Sequence, residues 1–317
     1  MTNSSVLIES VSGDLAIKPQ IFEKNLEQAV SRIKIAKIPK PDGFYRQLHI
    51  APRAAKLLQY WVMENILDAI PIHRGAAAFY SGASILDNAK RHRHNYFFLR
   101  IDFKNFFPSL TADDVCRALE PYQERELVGD LSKEIGSNKV IRNALFVNED
   151  QLAMGFPISP ILSNIIMNKV DSKIEDFLHQ NRSEFGTPVY SRYADDIVIS
   201  IKKKGFGNLI RDNVTDLVQG AEWPTLSINQ SKTKFGNRRA GSAQVTGLRI
   251  TPDGRITLHR RYKDKIRLLT ALAKNGKLSP VELSQLRGHL NYARGVDPAF
   301  FGKLMTKSFG TLEKVLS

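Results

Sequence analysis

Apolar positions along residues 21–35 (Ile21, Leu26, Val30, Ile33) recur between charged ones at helical spacing, which predicts a helix over that stretch. The pattern then changes. Prolines at 39 and 41 exclude a helix and Asp42-Gly43 is a hairpin turn signal, so residues 38–50 read as two short strands joined by a basic turn. From Pro52 a helix is expected, with Leu57, Leu58, Trp61, Val62 and Ile66 as its apolar face. Residues 96–103 are rich in aromatic and branched side chains and read as a buried strand, stopped by Pro108-Ser109. Thr111-Ala-Asp-Asp114 has the form of a capped helix start. Residues 157–170 predict another helix, and residues 190–201 predict two apolar strands around a polar centre. Beyond Pro252-Asp-Gly254, residues 256–273 predict a strand and then a basic helix, and a domain boundary is expected near Thr251.

Composition adds a partner. The 317 residues are 42% hydrophobic, enough chain for roughly two domains with a sizeable core. Lys and Arg outnumber Asp and Glu by 46 to 32, a net charge of +14. Such an excess points to a polyanion, nucleic acid first and anionic membrane second, without choosing between binding and chemistry. One cysteine, Cys116, excludes an intramolecular disulfide and a multi-cysteine zinc site, and fits a reducing compartment. Residues 1–14 lack the basic-then-apolar order of a signal peptide, and no apolar run approaches the ~18 residues of a membrane span. The expectation is a soluble, cytoplasmic protein that does not enter membranes.

The candidate chemistry lies in carboxylates. Tyr193-Ala-Asp-Asp196 sits between apolar strands, and Asp102 ends another. Adjacent like charges repel, and a solvated turn is the plain alternative for any Asp-Asp pair. Three carboxylates on neighbouring strand ends, however, make a cage for Mg²⁺, which takes hard oxygen ligands and bridges them to phosphates. Two such ions ~3.5–4 Å apart can stabilise the attacking and leaving oxygens of phosphoryl transfer.

The ordered set of motifs resembles the reverse transcriptases. Asp102-Phe-Lys-Asn-Phe-Phe-Pro-Ser109, Met154-Gly-Phe-Pro-Ile-Ser-Pro160, Tyr193-Ala-Asp-Asp196 and Leu226-Ser-Ile-Asn-Gln-Ser-Lys-Thr233 follow that family's order and spacing. Asn88-Ala-Lys-Arg-His92 and Val245-Thr-Gly247 resemble blocks of its bacterial retron branch. The resemblance covers roughly residues 35–305.

The resemblance implies an α+β right-hand polymerase. Residues 1–95 would form N-terminal helices and fingers, 96–250 a palm of antiparallel sheet and helices, and 251–317 a small helical thumb. It implies two magnesium ions (Mn²⁺ as an in-vitro substitute) on Asp102, Asp195 and the Phe103 carbonyl, with Asp196 in support. Phe107 would be an aromatic gate selecting dNTPs, or else a core phenylalanine. Lys40 and Arg46 would clamp the triphosphate, or else form a solvated pair. Gly155 would admit close approach to the nucleotide; Met154 departs from the glutamine common in that block and lacks its hydrogen bonds. Lys232 would stand near the leaving pyrophosphate as a proton donor or as a plain phosphate contact. Phe106 is expected to point away from Phe107 along a strand.

For RNA, the resemblance implies contacts by Asn88, His92, Val245, Thr246 and Gly247. The basic helix carrying Arg260, Arg261 and Lys265 would track phosphates, and Tyr262 and Tyr292 are candidates for stacking on bases. The implied activity is RNA-directed DNA synthesis on a cognate noncoding RNA, primed from a guanosine 2′-hydroxyl. The product would be a branched RNA–DNA chimera (msDNA) serving anti-phage defence with a separate effector or toxin protein. A group II intron-like or diversity-generating enzyme, and an RNA-binding scaffold, are the rival readings.

Overall fold

The computed structural model describes residues 5–39, 43–148, 150–241 and 243–317. Ser5 starts helix α1 (Val6–Asp14) by accepting from the Ile8 amide, and its hydroxyl donates to Glu134 Oε2 at 2.5 Å. Helix α2 (Pro19–Val30) stops short of the predicted end. The branched residues Ile33, Ile35 and Ile38 favour extended chain, and residues 34–39 form strand β1 (Lys34–Pro39). Its antiparallel partner is β2 (Tyr45–Ile50), registered Lys34 to Ile50 and Pro39 to Tyr45. Cross-strand pairing here overrides helical propensity. The turn between them, with the expected clamp residue Lys40, lies outside the described residues.

Helices α3 (Arg53–Asn65) and α4 (Ile85–His92) precede strand β3 (Phe97–Asp102). A capping box between Thr111 and Asp114 opens α5 (Ala112–Leu119), and α6 (Glu126–Ser137) and α7 (Lys139–Leu145) follow. The next helix, α8 (Ser159–Gln180), runs past the expected Val170 because Ile174 and Leu178 continue its buried stripe. After the short α9 (Arg182–Phe185) come the hairpin strands β4 (Val189–Tyr193) and β5 (Asp196–Ile201), then α10 (Gly207–Gln219) and β6 (Lys234–Asn237). A small sheet of β7 (Gln244–Val245), β8 (Leu248–Ile250) and β9 (Ile256–Leu258) leads into α11 (Arg260–Lys274), α12 (Pro280–Val296) and α13 (Pro298–Leu316).

The central sheet is antiparallel in the order β4-β5-β3-β6. Its two faces belong to different cores. Leu99, Ile101, Ile197 and Ile199 pack into the larger core with α1–α3, α5–α8 and α10. Phe98 and Val198, one residue out of phase, pack into a second core with Ala89, β7–β9 and α11–α13. Period-two alternation therefore sends successive side chains into different layers, and both must be apolar. Arg100, Asp102, Asp196 and Ser200 share the Phe98 face by the same register. Among the described residues no helix is long and apolar enough to cross a membrane.

A buried ion pair ties α8 to β4. Arg192 donates from Nε and Nη2 to the two Asp171 oxygens at 2.8 and 2.7 Å, and both side chains are 0% exposed. The Tyr190 hydroxyl adds a 2.6 Å bond to Asp171, and burial pushes its phenol pKa well up. Breaking one partner of such a pair strands a charge in the interior. Asp171→Ala is expected to lower unfolding free energy by about 3–5 kcal/mol, and the double variant Asp171→Leu/Arg192→Met by much less. Urea denaturation midpoints check both; equal losses would show that packing, not charge, is what the pair supplies.

Candidate active site

The β4–β5 hairpin closes through the two residues Ala194 and Asp195, with Tyr193 registered on Asp196. Ala194 is left-handed (φ 56°), where this turn ordinarily carries glycine. The turn is held from behind: Arg192 Nη1 donates to the Ala194 carbonyl at 3.3 Å, and the Phe103 amide donates to the Asp195 carbonyl at 3.0 Å. Asp102, at the end of β3, pairs in register with Asp196. The structure thus brings Asp102, Phe103, Asp195 and Asp196 to one end of the sheet, where the two-layer cover stops.

The carboxylates are answered by cations from three directions. Lys232 Nζ lies 3.1 Å from Asp102 Oδ2. Arg100 donates to Asp196 Oδ1 at 2.6 Å, along the face the two share. Arg46, on strand β2, is close enough to draw the Asp195 pKa down. Burial still wins. It raises the Asp195 pKa, helped by the charge of Asp102, and raises Asp196 to about 6 despite the short ion pair. Arg100 is 41% exposed and shares its charge with water, so it offsets burial only in part. Among the described residues no three His, Cys, Asp or Glu side chains converge tightly enough to grip an ion as they stand. The donor set still fits a hard divalent cation: it is all-oxygen and adjacent, and burial raises the pKa of Asp195 and Asp196 within it.

Phe107 opens a short 3₁₀ turn (Phe107–Ser109) rather than continuing a strand, so the expected strand alternation does not apply. The two rings part nonetheless: Phe106 is buried on Phe103, and Phe107 is half-buried beside the site. Phe79, which sequence reasoning missed, completes a row of rings, 6.3 Å from both Phe107 and Tyr193, from a left-handed backbone (φ 65°). Nothing in the sequence marks that backbone. Arg100 was missed as well, although its place two residues before Asp102 on one strand face was a usable signal. Gly155 is exposed and also serves the packing of strand β2: a side chain there would meet the His49 carbonyl at 2.5 Å and Leu48 at 2.8 Å, so the missing Cβ is what lets β2 approach. The Met154 carbonyl accepts from the His49 amide at 2.8 Å at the same junction.

The RNA elements divide. His92 is fully buried, with ring nitrogens 2.8 Å from the hydroxyls of Ser191 and Ser200, and burial lowers its pKa to about 3. No ring nitrogen is left for RNA, so direct contact by His92 is corrected to a neutral strut between α4 and the sheet. Asn88 is 2% exposed and its amide finds no partner among the described residues; Val245 is buried too. Thr246 and Gly247 form the two-residue turn between β7 and β8, both at positive φ, as a type I′ turn requires. Thr246 Oγ1 donates to the Ile85 carbonyl of α4 at 3.2 Å. Gly247, Arg261 and Lys265 do meet, lining one cavity of about 490 Å³ with Tyr262 and Tyr292. Burial, then nearby Tyr193, raises the Tyr292 pKa, which puts this cavity beside the catalytic hairpin. Arg260 points elsewhere, toward Asp264 at 3.8 Å.

A helix-backed antiparallel sheet with carboxylates on its central hairpin, a finger hairpin over it and a helical bundle beside it defines a right-hand nucleic-acid polymerase. Residues 38–269 match the family model for reverse transcriptase (RNA-dependent DNA polymerase). The chain is 36% identical to the retron Ec73 reverse transcriptase of Escherichia coli, over 86% of this chain and 85% of that one. It is 30% identical to the retron Ec83 enzyme of the same species, over 86% of both. Among solved structures it resembles a Candida albicans telomerase bound to a fragment of telomeric RNA (TM-score 0.52, 14% identity), covering 89% of this chain and 56% of that one. The chain therefore belongs to the reverse transcriptase family, in its bacterial retron branch, and is an RNA-directed DNA polymerase.

The Asp196 pKa carries a stability consequence. A carboxyl raised from 3.8 to about 6 on folding favours the fold below pH ~4, and that contribution is lost as pH rises through 6. Asp196→Asn is expected to stabilise the EDTA-treated protein by about 1–2 kcal/mol at pH 7.5, discounted for the exposed Arg100, with no gain near pH 4. Chemical denaturation at the two pH values checks it; a gain that does not depend on pH would sink the assignment.

Proposed function

We propose that this polymerase binds a cognate structured noncoding RNA and copies part of it into DNA, starting from a guanosine 2′-hydroxyl. The product is a branched RNA–DNA hybrid, made in the cytoplasm and used in anti-phage defence with a separate effector protein. The retron names of its relatives support the cognate RNA and the branched product. The observation that carries the chemistry is the turn-borne Asp195 beside Asp102 and Asp196, at one end of the sheet. Fingers, palm and thumb are taken as residues 1–95, 96–250 and 251–317.

Asp102, Asp195 and the Phe103 carbonyl would hold two magnesium ions, with Asp196 in support; these would supply the positive charge that phosphoryl transfer needs. The residues do the rest. Arg46, on β2 and near enough to Asp195 to lower its pKa, would take the triphosphate bidentately. Lys232, beside Asp102, neutralises charge on the departing pyrophosphate and is within reach to give it a proton. Phe107 presents a half-buried ring to the sugar, where a 2′-hydroxyl would collide with it. The cavity of Gly247, Arg261, Lys265 and Tyr292 receives the strand that primes synthesis.

Asp195→Asn is expected to cut DNA synthesis by about a thousandfold or more while changing RNA affinity less than about twofold. Primer extension and filter binding on the same preparation check it, and substantial synthesis by the variant would remove Asp195 from the metal site. Phe107→Ala is expected to shift the dNTP-to-rNTP ratio of kcat/KM toward ribonucleotides by at least about tenfold, roughly 1.4 kcal/mol of discrimination. An unchanged ratio returns Phe107 to the core.

A further inference from the structure

Before α4 the chain lays a short piece of backbone along β4. The Arg192 amide donates to the Gly75 carbonyl and the Ala77 amide to the Arg192 carbonyl, both at 2.8 Å, so Ala76 bridges the strand in parallel. The approach is close: a side chain at Gly75 would stand 2.6 Å from the Tyr190 ring. Buried Asn164 of α8 donates to the Ala78 carbonyl at 2.8 Å and accepts from Arg192 Nη2 at 3.3 Å. The backbone leading to Phe79 is thus fixed by two elements, β4 and α8.

Phe79 itself breaks the local pattern. Ala76, Ala77 and Ala78 are buried, and then comes a large ring that is 36% exposed on a backbone at φ 65°. Left-handed backbone crowds any Cβ and suits glycine. A glycine would fit this turn better, and a ring so exposed adds little to a core. The turn alone gives no reason for a phenylalanine; strain kept in this way belongs to what the side chain touches.

The ring touches the candidate active site. It lies 6.3 Å from Phe107, inclined at 49°, and 6.3 Å from Tyr193, inclined at 42°. Phe107 in turn meets Phe106 at 5.4 Å, and Phe106 stacks on Phe103 at 5.7 Å. Rings therefore follow one another from Phe103, next to Asp102, to Tyr193, at the start of the catalytic turn, at spacings ordinary for packed aromatic pairs. Phe107 opens a 3₁₀ turn and is only half-buried, so no core clamps it. Its ring neighbours among the described residues are Phe106 and Phe79. Without Phe79, a ring-sized space opens beside Phe107 for it to swing into.

We infer that Phe79 is a positioning residue for nucleotide selection, its ring holding that of Phe107 where a ribose 2′-hydroxyl collides with it. The inference rests on the reading of Phe107 as the sugar gate. A steric gate excludes only as far as it cannot retreat, and a shift of about 1 Å is enough to open it. The gate comes from the segment after β3, and its stop from the segment before α4.

The test is a double-variant cycle in the full chain: Phe79→Gly, Phe107→Ala and both together, with Phe79→Tyr as the variant that keeps the ring. Incorporation of dGTP and of GTP is measured on poly(rC) primed with oligo(dG). Glycine suits φ 65°, so Phe79→Gly deletes the ring without straining the backbone, and its urea midpoint is expected to stay near wild type. The expected result is a dGTP-to-GTP ratio of kcat/KM lower by about threefold or more in Phe79→Gly and retained in Phe79→Tyr. In the Phe107→Ala background, Phe79→Gly is expected to add less than about twofold, because the two rings act as one device. An unchanged ratio in Phe79→Gly, beside a lowered one in Phe107→Ala, overturns the inference and leaves the gate standing. Equal losses for the two nucleotides overturn it too, as the mark of a merely structural role. So do losses that multiply in the double variant, as the mark of independent contacts. A ratio unchanged in Phe107→Ala overturns instead the reading on which the inference rests.

Discussion

A sheet buried on both faces leaves its polar groups one exit, its end. Strands β3 and β5 send alternate side chains into two separate cores, so the positions between Phe97 and Ile101 and between Ile197 and Ile201 are almost all apolar. Charge collects where cover stops, at Asp102, Asp195 and Asp196. Burial there makes Asp195 and Asp196 expensive to ionise, and their raised pKa values express that cost. The same condition makes the site receptive to added positive charge, whether from Lys232, Arg100 and Arg46 or from divalent ions.

The turn that carries Asp195 depends on interactions set deeper in the fold. A left-handed alanine is unfavourable, and it persists because its neighbours leave no alternative. Arg192 does three things at once. Its backbone bonds Gly75 and Ala77, its guanidinium neutralises Asp171, and its remaining N–H reaches the Ala194 carbonyl. Replacing such a pair with apolar residues would cost little in stability. Its value is in geometry, because it fixes where the turn and the row of Phe79, Phe107 and Tyr193 rings sit.

Much of this was legible from the chain. The Thr111 cap, the finger hairpin, the central hairpin and the strand-then-helix after Gly254 all follow local rules of capping, turn chemistry and period. The three aspartates stood out because charge between apolar strands is unusual. Other features were not legible, for identifiable reasons. Helix α2 ended early because a strand partner a few residues on competed for Ile35. The close approach of Gly155 to strand β2 was hidden because the atom that excludes a side chain there, the His49 carbonyl, is about a hundred residues away in sequence. His92 looked like a surface cation among arginines; burial on Ser191 and Ser200 keeps it neutral.

By itself, then, the sequence determined the hairpins and capped helices of its motifs, the carboxylate set and the kinship, because each is written in neighbouring residues or in the order of short motifs. Which side of an element faces what was decided only by the tertiary structure. Arg261 and Lys263 are chemically alike and two residues apart, yet one lines the cavity of Gly247 and Tyr292 and the other a concavity shared with Arg93, Arg238 and Lys303. A helix turns through about 200° between them, and only the packing of α11 against its neighbours says which direction is inward.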